Sequence, residues 1–265
     1  MNAVALGLDR TVLELKMYSR EKEAVFFSFL FPVLMLTLFS VVFGDELEAG
    51  GAELSAAEYF LPGMIAAGVV LTSFQTMALS VATERDDGTL KRLRSTPMPP
   101  VSYFLGKVGL VVVTALAQQV LLLAVAAFAF GVDLPDTFGR WATFGWVFGL
   151  GAFAGTVLGI GYSSTASARS AGAVVIAPVL ILQFISGVYF AFTDIPGWLQ
   201  QVASVFPLKW IAQGMRSVFF PDALADLEMA GSWEPGRTAL VLAAWAVGGL
   251  ALCILTFRWT KRGTT

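Results

Sequence analysis

Six stretches of 20 to 23 residues run without a charged side chain, at positions 24–43, 59–81, 108–130, 141–162, 171–190 and 238–257. As helices rising ~1.5 Å per residue, each is long enough to cross a hydrocarbon core of ~30 Å. The first holds fourteen Val, Leu and Phe residues. At roughly −0.3 to −0.6 kcal/mol each they favour insertion by about 4 to 8 kcal/mol, unopposed by any charge at roughly +3 kcal/mol. Only 14% of the 265 residues are charged and 57% are hydrophobic, the balance of a chain surrounded by lipid. The sequence therefore predicts an all-α integral membrane fold with six transmembrane helices, forming one domain over residues 1–265.

The sum of the charges, −2, says less than their placement. Lysine and arginine alternate along the aqueous segments. Thirteen fall in the N-terminal arm, the 82–107 connection, the 163–170 connection and the C-terminal tail (Arg258, Lys261, Arg262), against four in the other connections. Positive-inside bias places both termini and the 82–107 connection in the cytoplasm of a multi-pass plasma-membrane protein. Asp45, Glu46, Glu48, Glu53 and Glu58 then mark the first external loop. The apolar run after Arg10, Lys16, Arg20 and Lys22 is too long for the core of a cleaved leader, so it reads as a retained first span. Basic residues at span ends serve as anchors to lipid headgroups, and no nucleic-acid partner is expected.

Two aqueous segments are amphipathic. In the arm, residues 1–23, Leu6, Leu13 and Met17 recur at helical spacing with Arg10, Lys16 and Arg20 around them, which predicts a helix lying at the membrane surface. In the long external segment, 191–237, Ile195, Trp198, Leu199 and Val202 also share a helical face. Gln200, Gln201, Lys209, Gln213 and Arg216 oppose full insertion there. The expectation is an amphipathic or re-entrant helix, broken at Pro207, with Trp210 as an interfacial anchor or part of a gate.

Several chemistries are excluded. There is no histidine, and Cys253 is the single cysteine, which rules out disulfide frameworks and thiol or imidazole metal sites. No G-x-x-x-x-G-K-[ST] loop is present to cradle phosphate, and no carboxylate lies within the six stretches as proton-driven carriers require. The chain therefore reads as a non-enzyme with no cofactor or metal of its own. Asp133 and Asp136, beside Pro135, read as a solvated turn.

Polar and small residues within the stretches give weaker signals. Thr72, Gln75 and Thr76 share a face of the second stretch, and Gln183, Ser186 and Gly187 share one on the fifth. They suit either interhelical hydrogen bonding or a weakly polar lining for an amphiphilic cargo. Gln118 and Gln119, ~100° apart on a helix, are not expected to face one partner. Gly151, Gly155 and Gly159, with Gly145 and Gly149 as a second pair, predict close helix packing. Pro32 and Pro178 are candidate kinks.

The most informative segment is 82–107, ATERDDGTLKRLRSTPMPPVSYFLGK. Gly88 can end the helix descending from the second stretch, Leu90 and Leu93 then share one face of a short helix, and Pro97, Pro99 and Pro100 stop it. The result is a stiff amphipathic knob. It is either a membrane-surface turn or a docking element in which the leucines enter a partner's groove while Glu84, Arg85, Asp86 and Asp87 set the register.

Together with REKEAVFFSFLFP, YFLPGM and SGVYFAFTDIPGWLQQVASVFPLKWIAQGMR, the knob sequence ERDDGTLKRLRSTPMPP, with GK after it, resembles the ABC-2 type transport permeases of bacterial drug and antibiotic exporters. The likeness covers essentially the whole chain. Asp86 departs from the glutamate common in that family and keeps the charge. The resemblance implies that Glu84, Arg85, Asp86, Gly88, Thr89, Leu90 and Leu93 form a coupling helix that contacts a separate ATP-binding subunit. It implies two copies of that subunit, with ATP and magnesium bound there, a second permease copy as a homodimer, and the arm as a connecting helix. Drug, lipid and polysaccharide exporters of the family look alike at this level. A secondary carrier or channel acting alone, or a membrane anchor for another enzyme, remains a competing reading.

Overall fold

The computed structural model describes residues 2–44, 47–49, 52–167 and 169–259. Asp45, Glu46, Lys261 and Arg262, and the side chain of Glu48, lie outside the described residues. The order is α1 (Ala3–Tyr18), α2 (Lys22–Phe43), a two-stranded antiparallel hairpin of β1 (Leu47–Ala49) and β2 (Ala52–Leu54), α3 (Ala56–Val70), a π-helical turn (Leu71–Gln75), α4 (Thr76–Asp86), α5 (Thr89–Arg94), α6 (Pro100–Phe130) and α7 (Phe138–Tyr162). A second π-helical turn (Gly172–Ile176), α8 (Ala177–Ile185), α9 (Gly197–Val205), α10 (Pro207–Phe219) and α11 (Pro235–Thr256) follow.

Among the described residues five helices are long and apolar enough to cross a membrane: α2, the α3–α4 unit, α6, α7 with its short extension to Thr165, and α11. The sixth expected span is not among them. The stretch 171–190 becomes an apolar helix over Gly172–Ile185, which at ~1.5 Å per residue falls short of ~30 Å. Gly187, at φ +73°, turns the chain away just after it, and Pro178 sits at the joint between the π turn and α8.

Local chemistry sets the ends. Ser55 and Glu58 form a reciprocal capping box at the start of α3, Glu58 N–H to Ser55 Oγ 3.2 Å and Ser55 N–H to Glu58 Oε2 2.8 Å. Pro100 opens α6 and Gly131, at φ +68°, closes it. α3 and α7 are the interior of the bundle, whereas α2, α6 and α11 turn Phe27, Leu38, Val120 and Leu255 outward, as a lipid-facing surface requires.

Small residues bring α7 against the α3–α4 unit. A Cβ at Gly155 would collide with Ser73, and one at Gly159 would lie 2.5 Å from the Phe74 carbonyl oxygen. Gly151 closes on Ile211 of α10. Gly145 and Gly149, expected to form a second packing pair, face open space.

Two amphipathic expectations change orientation. α1 buries Gly7, Arg10, Glu14 and Tyr18 against the bundle and exposes Val4, Leu8 and Val12 together with Asp9 and Lys16, so one of its charge pairs points inward and much of its apolar surface outward. The 191–237 segment breaks at Phe206–Pro207 as expected, but α10 is enclosed by α3, α7 and α11 and buries Lys209, Trp210, Gln213 and Arg216. Trp210 is thus a core residue rather than an interfacial anchor. Its indole N–H donates to the Ser204 carbonyl at 2.8 Å.

Candidate functional site

At the end of the bundle that carries segment 82–107, Gly88 takes φ +78°, a left-handed conformation that ends α4 and starts α5 within one residue. Asp87 Oδ1 accepts from Thr89 N–H at 2.8 Å, and Arg92 Nη2 donates to Thr89 Oγ1 at 3.0 Å, which stiffens the first turn. The expected outward leucine face is not formed. Leu90 is fully enclosed in the chain's own core and Leu93 packs beside it, so the two seat α5 instead of entering a partner's groove. The outer surface of the knob carries Asp87, Lys91, Arg92, Arg94 and Thr96.

Glu84 also points inward, with 5% of its surface exposed. Its Oε1 lies 2.5 Å from Lys107 Nζ on α6, and its Oε2 accepts from the Tyr103 hydroxyl at 2.8 Å. The same ammonium reaches Glu14 Oε2 of α1 at 2.9 Å and Ser80 Oγ of α4 at 2.9 Å. Arg10 Nη2 approaches Glu14 Oε1 at 2.5 Å, close enough for an ion pair but off the line of a hydrogen bond. Two cations and two carboxylates thus balance in a buried site joining α1, α4 and α6. Such a network gains little over apolar packing yet becomes costly when one member is removed.

Arg85, the next residue, faces the other way. Its Nη1 donates to the Ser163 carbonyl at 2.6 Å, its Nη2 to Ser163 Oγ at 2.8 Å, and its Nε to the Arg258 carbonyl at 3.4 Å. It joins the knob to the ends of α7 and α11. Neither Arg85 nor Glu84 is a free surface charge, and Asp86 follows them as the last residue of α4.

By position alone Lys107 falls at a span end and Glu14 in the amphipathic arm, and the sequence offers no partner for either. The available signal was the run Gly7, Arg10, Glu14 and Tyr18, one helical face holding the arm's smallest residue and a charge pair. Their partner on α6, however, is 93 residues away from Glu14.

The residues expected to line a path are dispersed. Thr72 is buried and donates to the Gly68 carbonyl at 2.8 Å, while Thr76 donates to the Leu71 carbonyl at 2.9 Å within the π turn and Gln75 is half-buried beside it. Gln183 accepts from the Tyr189 hydroxyl at 2.6 Å, and Ser186 is buried with its hydroxyl unpaired. None of the five lines the cavity beside Tyr59 and Arg216 or the one beside Glu58 and Arg140, both at the opposite end of the bundle. Gln118 and Gln119, expected to face different partners, are buried in one seam. Gln119 Nε2 donates to Gln118 Oε1 at 2.8 Å and to the Ile65 carbonyl at 3.2 Å, and Gln118 lies over Gly68.

The opposite end holds a second buried charge cluster. Arg216 of α10 donates from Nε to Glu228 Oε1 at 2.6 Å and from Nη1 to the Gly187 carbonyl at 2.5 Å. Two turns away Lys209 bonds Gln213, lies 3.8 Å from Glu228 Oε2 and sits 3.9 Å from the ring centre of Trp210. Burial pushes the Lys209 ammonium down to about 8; Glu228 opposes that depression and Arg216 adds to it. Asp133 and Asp136 are exposed at the rim of a cavity of about 410 Å³ that Glu58 and Arg140 also line. Among the described residues no group of three or more His, Cys, Asp and Glu side chains is placed to hold a metal.

Comparison with known proteins gives this geometry a context. A family model described as ABC-2 type transporter matches residues 10–220. The probable multidrug ABC transporter permease YbhR of Escherichia coli K12 is 24% identical over 175 residues, 66% of this chain and 47% of that protein. The inner membrane transport permease YadH of the same strain is 22% identical over 194 residues, 71% of this chain and 73% of that protein. The chain thus spans about half the length of the first of these relatives.

Proposed function

The chain belongs to the ABC-2 type transporter family, and from that premise we propose that it is the membrane permease subunit of an ATP-driven exporter. Its cargo is a hydrophobic or amphiphilic compound crossing the plasma membrane, and hydrolysis takes place on two copies of a separate ATP-binding subunit. The observation that carries this reading is the knob over Thr89–Arg94. It is a short helix seated by Leu90, held at its root by Glu84 and Arg85, and basic on the surface left open for a partner.

Its residues divide by role. Lys91, Arg92 and Arg94 meet the ATP-binding subunit, where acidic residues would set the register of docking. Glu84, Arg85, Leu90 and Leu93 position the knob without touching the partner, Gly88 supplies the turn, and Thr89 ties it to Asp87 and Arg92. Both chain termini and the knob face the cytoplasm, in keeping with the charge alternation. Two copies of the chain pair through lipid-facing helices.

Support for a multi-compound cargo comes from the name of one relative and from the thinly polar interior of the spans. The test is co-purification in detergent with an ATP-binding protein of the same genome that carries a phosphate-binding loop. The intact chain should retain that protein, and Lys91→Glu with Arg92→Glu should release it while leaving the chain folded. Retention by the charge-reversed chain, or gradient-driven transport by the chain alone, would replace this reading with that of a secondary carrier.

A further inference from the structure

Glu84 and Arg85 are neighbours on the last turn of α4, and successive residues on an α-helix point ~100° apart. Each grips a different part of the bundle. Glu84 holds Lys107 and Tyr103 of α6 and, through Lys107, Glu14 of α1. Arg85 holds Ser163 at the end of α7 and the Arg258 carbonyl beyond α11.

Each of those parts is a unit in itself. α1 and α6 meet backbone to backbone at small residues: a Cβ at Gly7 would lie 2.8 Å from Leu105 Cβ, Gly106 closes on Arg10 and Gly109 on Thr11, and Ser102 Oγ donates to the Ala3 carbonyl at 2.9 Å. α7 and α11 are joined in the same way. A Cβ at Gly249 would lie 2.8 Å from Val157, one at Gly161 would lie 3.0 Å from Cys253 N, and Thr256 Oγ1 donates to the Gly161 carbonyl at 3.0 Å.

We propose that Glu84–Arg85 is a fork that divides displacement of the knob between these two helix pairs, with Arg85 the positioning residue that carries it to α7–α11. The proposal rests on the coupling role assigned above and adds its route. A helix end gripped on one side only would pivot past the other pair. With both grips in place, α4 drives the pairs together, and the three donors of Arg85 are spread over two separate chain segments, which a lysine could not reproduce. The π turn higher in the same helix lies where such a displacement would be absorbed, as single π turns within helices often do at functional positions.

The experiment uses the full chain with its ATP-binding subunit in lipid nanodiscs, Cys253→Ser, and spin labels at cysteines placed by Thr96→Cys with Thr165→Cys, or Thr96→Cys with Ser19→Cys. All three labelled positions are exposed. With Arg85 intact, both distance distributions stay narrow and keep their means when ATP is added. Arg85→Ala broadens and shifts the distribution to position 165 while that to position 19 stays narrow. Lys107→Met does the reverse. Arg85→Lys gives intermediate broadening, and Ser163→Ala, which removes one of the three acceptors, gives the least.

A narrow, unshifted 96–165 distribution in Arg85→Ala, with or without ATP, would overturn the fork. Equal broadening of both distributions would show a general loss of structure and overturn it as well. Failure of the ATP-binding subunit to associate would instead count against the coupling role, and the nucleotide-free distances would still decide the fork.

Discussion

Lys107 Nζ lies 2.5 Å from Glu84 Oε1, and neither side chain has appreciable contact with solvent. The pair joins α6 to the last turn of α4, and Glu14 of α1 shares the ammonium. Removing the lysine leaves two buried carboxylates with one arginine between them. Lys107→Met should therefore destabilise the folded chain by about 3–5 kcal/mol, as for other broken buried pairs. Lys107→Met with Glu84→Gln, which leaves Arg10 and Glu14 paired, should recover much of that loss. Thermal unfolding in detergent, followed by tryptophan fluorescence, measures both.

Leu90 is the seat of the knob. Leu90→Ala opens a void under α5 worth about 2–5 kcal/mol where the site cannot collapse, and the loss should be local because α5 has only six residues. Hydrogen exchange is expected to rise over α5 and the turn that follows it and to stay unchanged in α7. Equal exchange in the variant and the intact chain would mean that Leu90 does not hold the knob.

The glycines of α7 separate by face. Gly155→Leu forces a side chain into Ser73 and the backbone of the π turn, an overpacking that costs about 1–3 kcal/mol or more. Gly149→Ala meets open space and should be neutral or slightly stabilising, by up to about 1 kcal/mol from helix propensity. Yield and melting temperature of the two variants check the contrast.

The Lys209 ammonium, depressed to about 8 from 10.5, sets a pH dependence. Between those two values the unfolded chain binds more protons at this site than the folded chain, so stability from Lys209 rises as pH rises through that window. Denaturant midpoints of the intact chain from pH 7.5 to 10.5 should climb relative to those of Lys209→Met, which lacks the group. A difference that is flat or falls with pH would contradict the burial of the charge.

Much of the architecture was legible because lipid imposes a simple rule: backbone polar groups pair within each helix, and apolar side chains cover it. Hence α2, α3, α6, α7 and α11 coincide with charge-free runs. The stretch 171–190 follows the same composition, yet Gly187 and the turn after it divert the chain, and composition alone does not register a reversal of φ. α10 misled because its Lys209 and Arg216 look like interfacial residues until Glu228 and the Gly187 carbonyl are brought to them by the fold. At the candidate site, the turn at Gly88 and the stop at Pro97–Pro100 could be read directly. The inward direction of Leu90 and Glu84 could not, since their partners are set by packing between segments far apart in the chain.

The most direct test of the account is ATP hydrolysis by the separate ATP-binding subunit, reconstituted in liposomes with the intact chain or with a chain carrying Lys91→Glu, Arg92→Glu and Arg94→Glu. The account predicts that the intact chain alters the hydrolysis rate and that reversing the knob's charge abolishes the effect, while the distant change Asp136→Asn leaves it in place. A hydrolysis rate that is the same with the intact chain, with the charge-reversed chain and with no chain at all would contradict it.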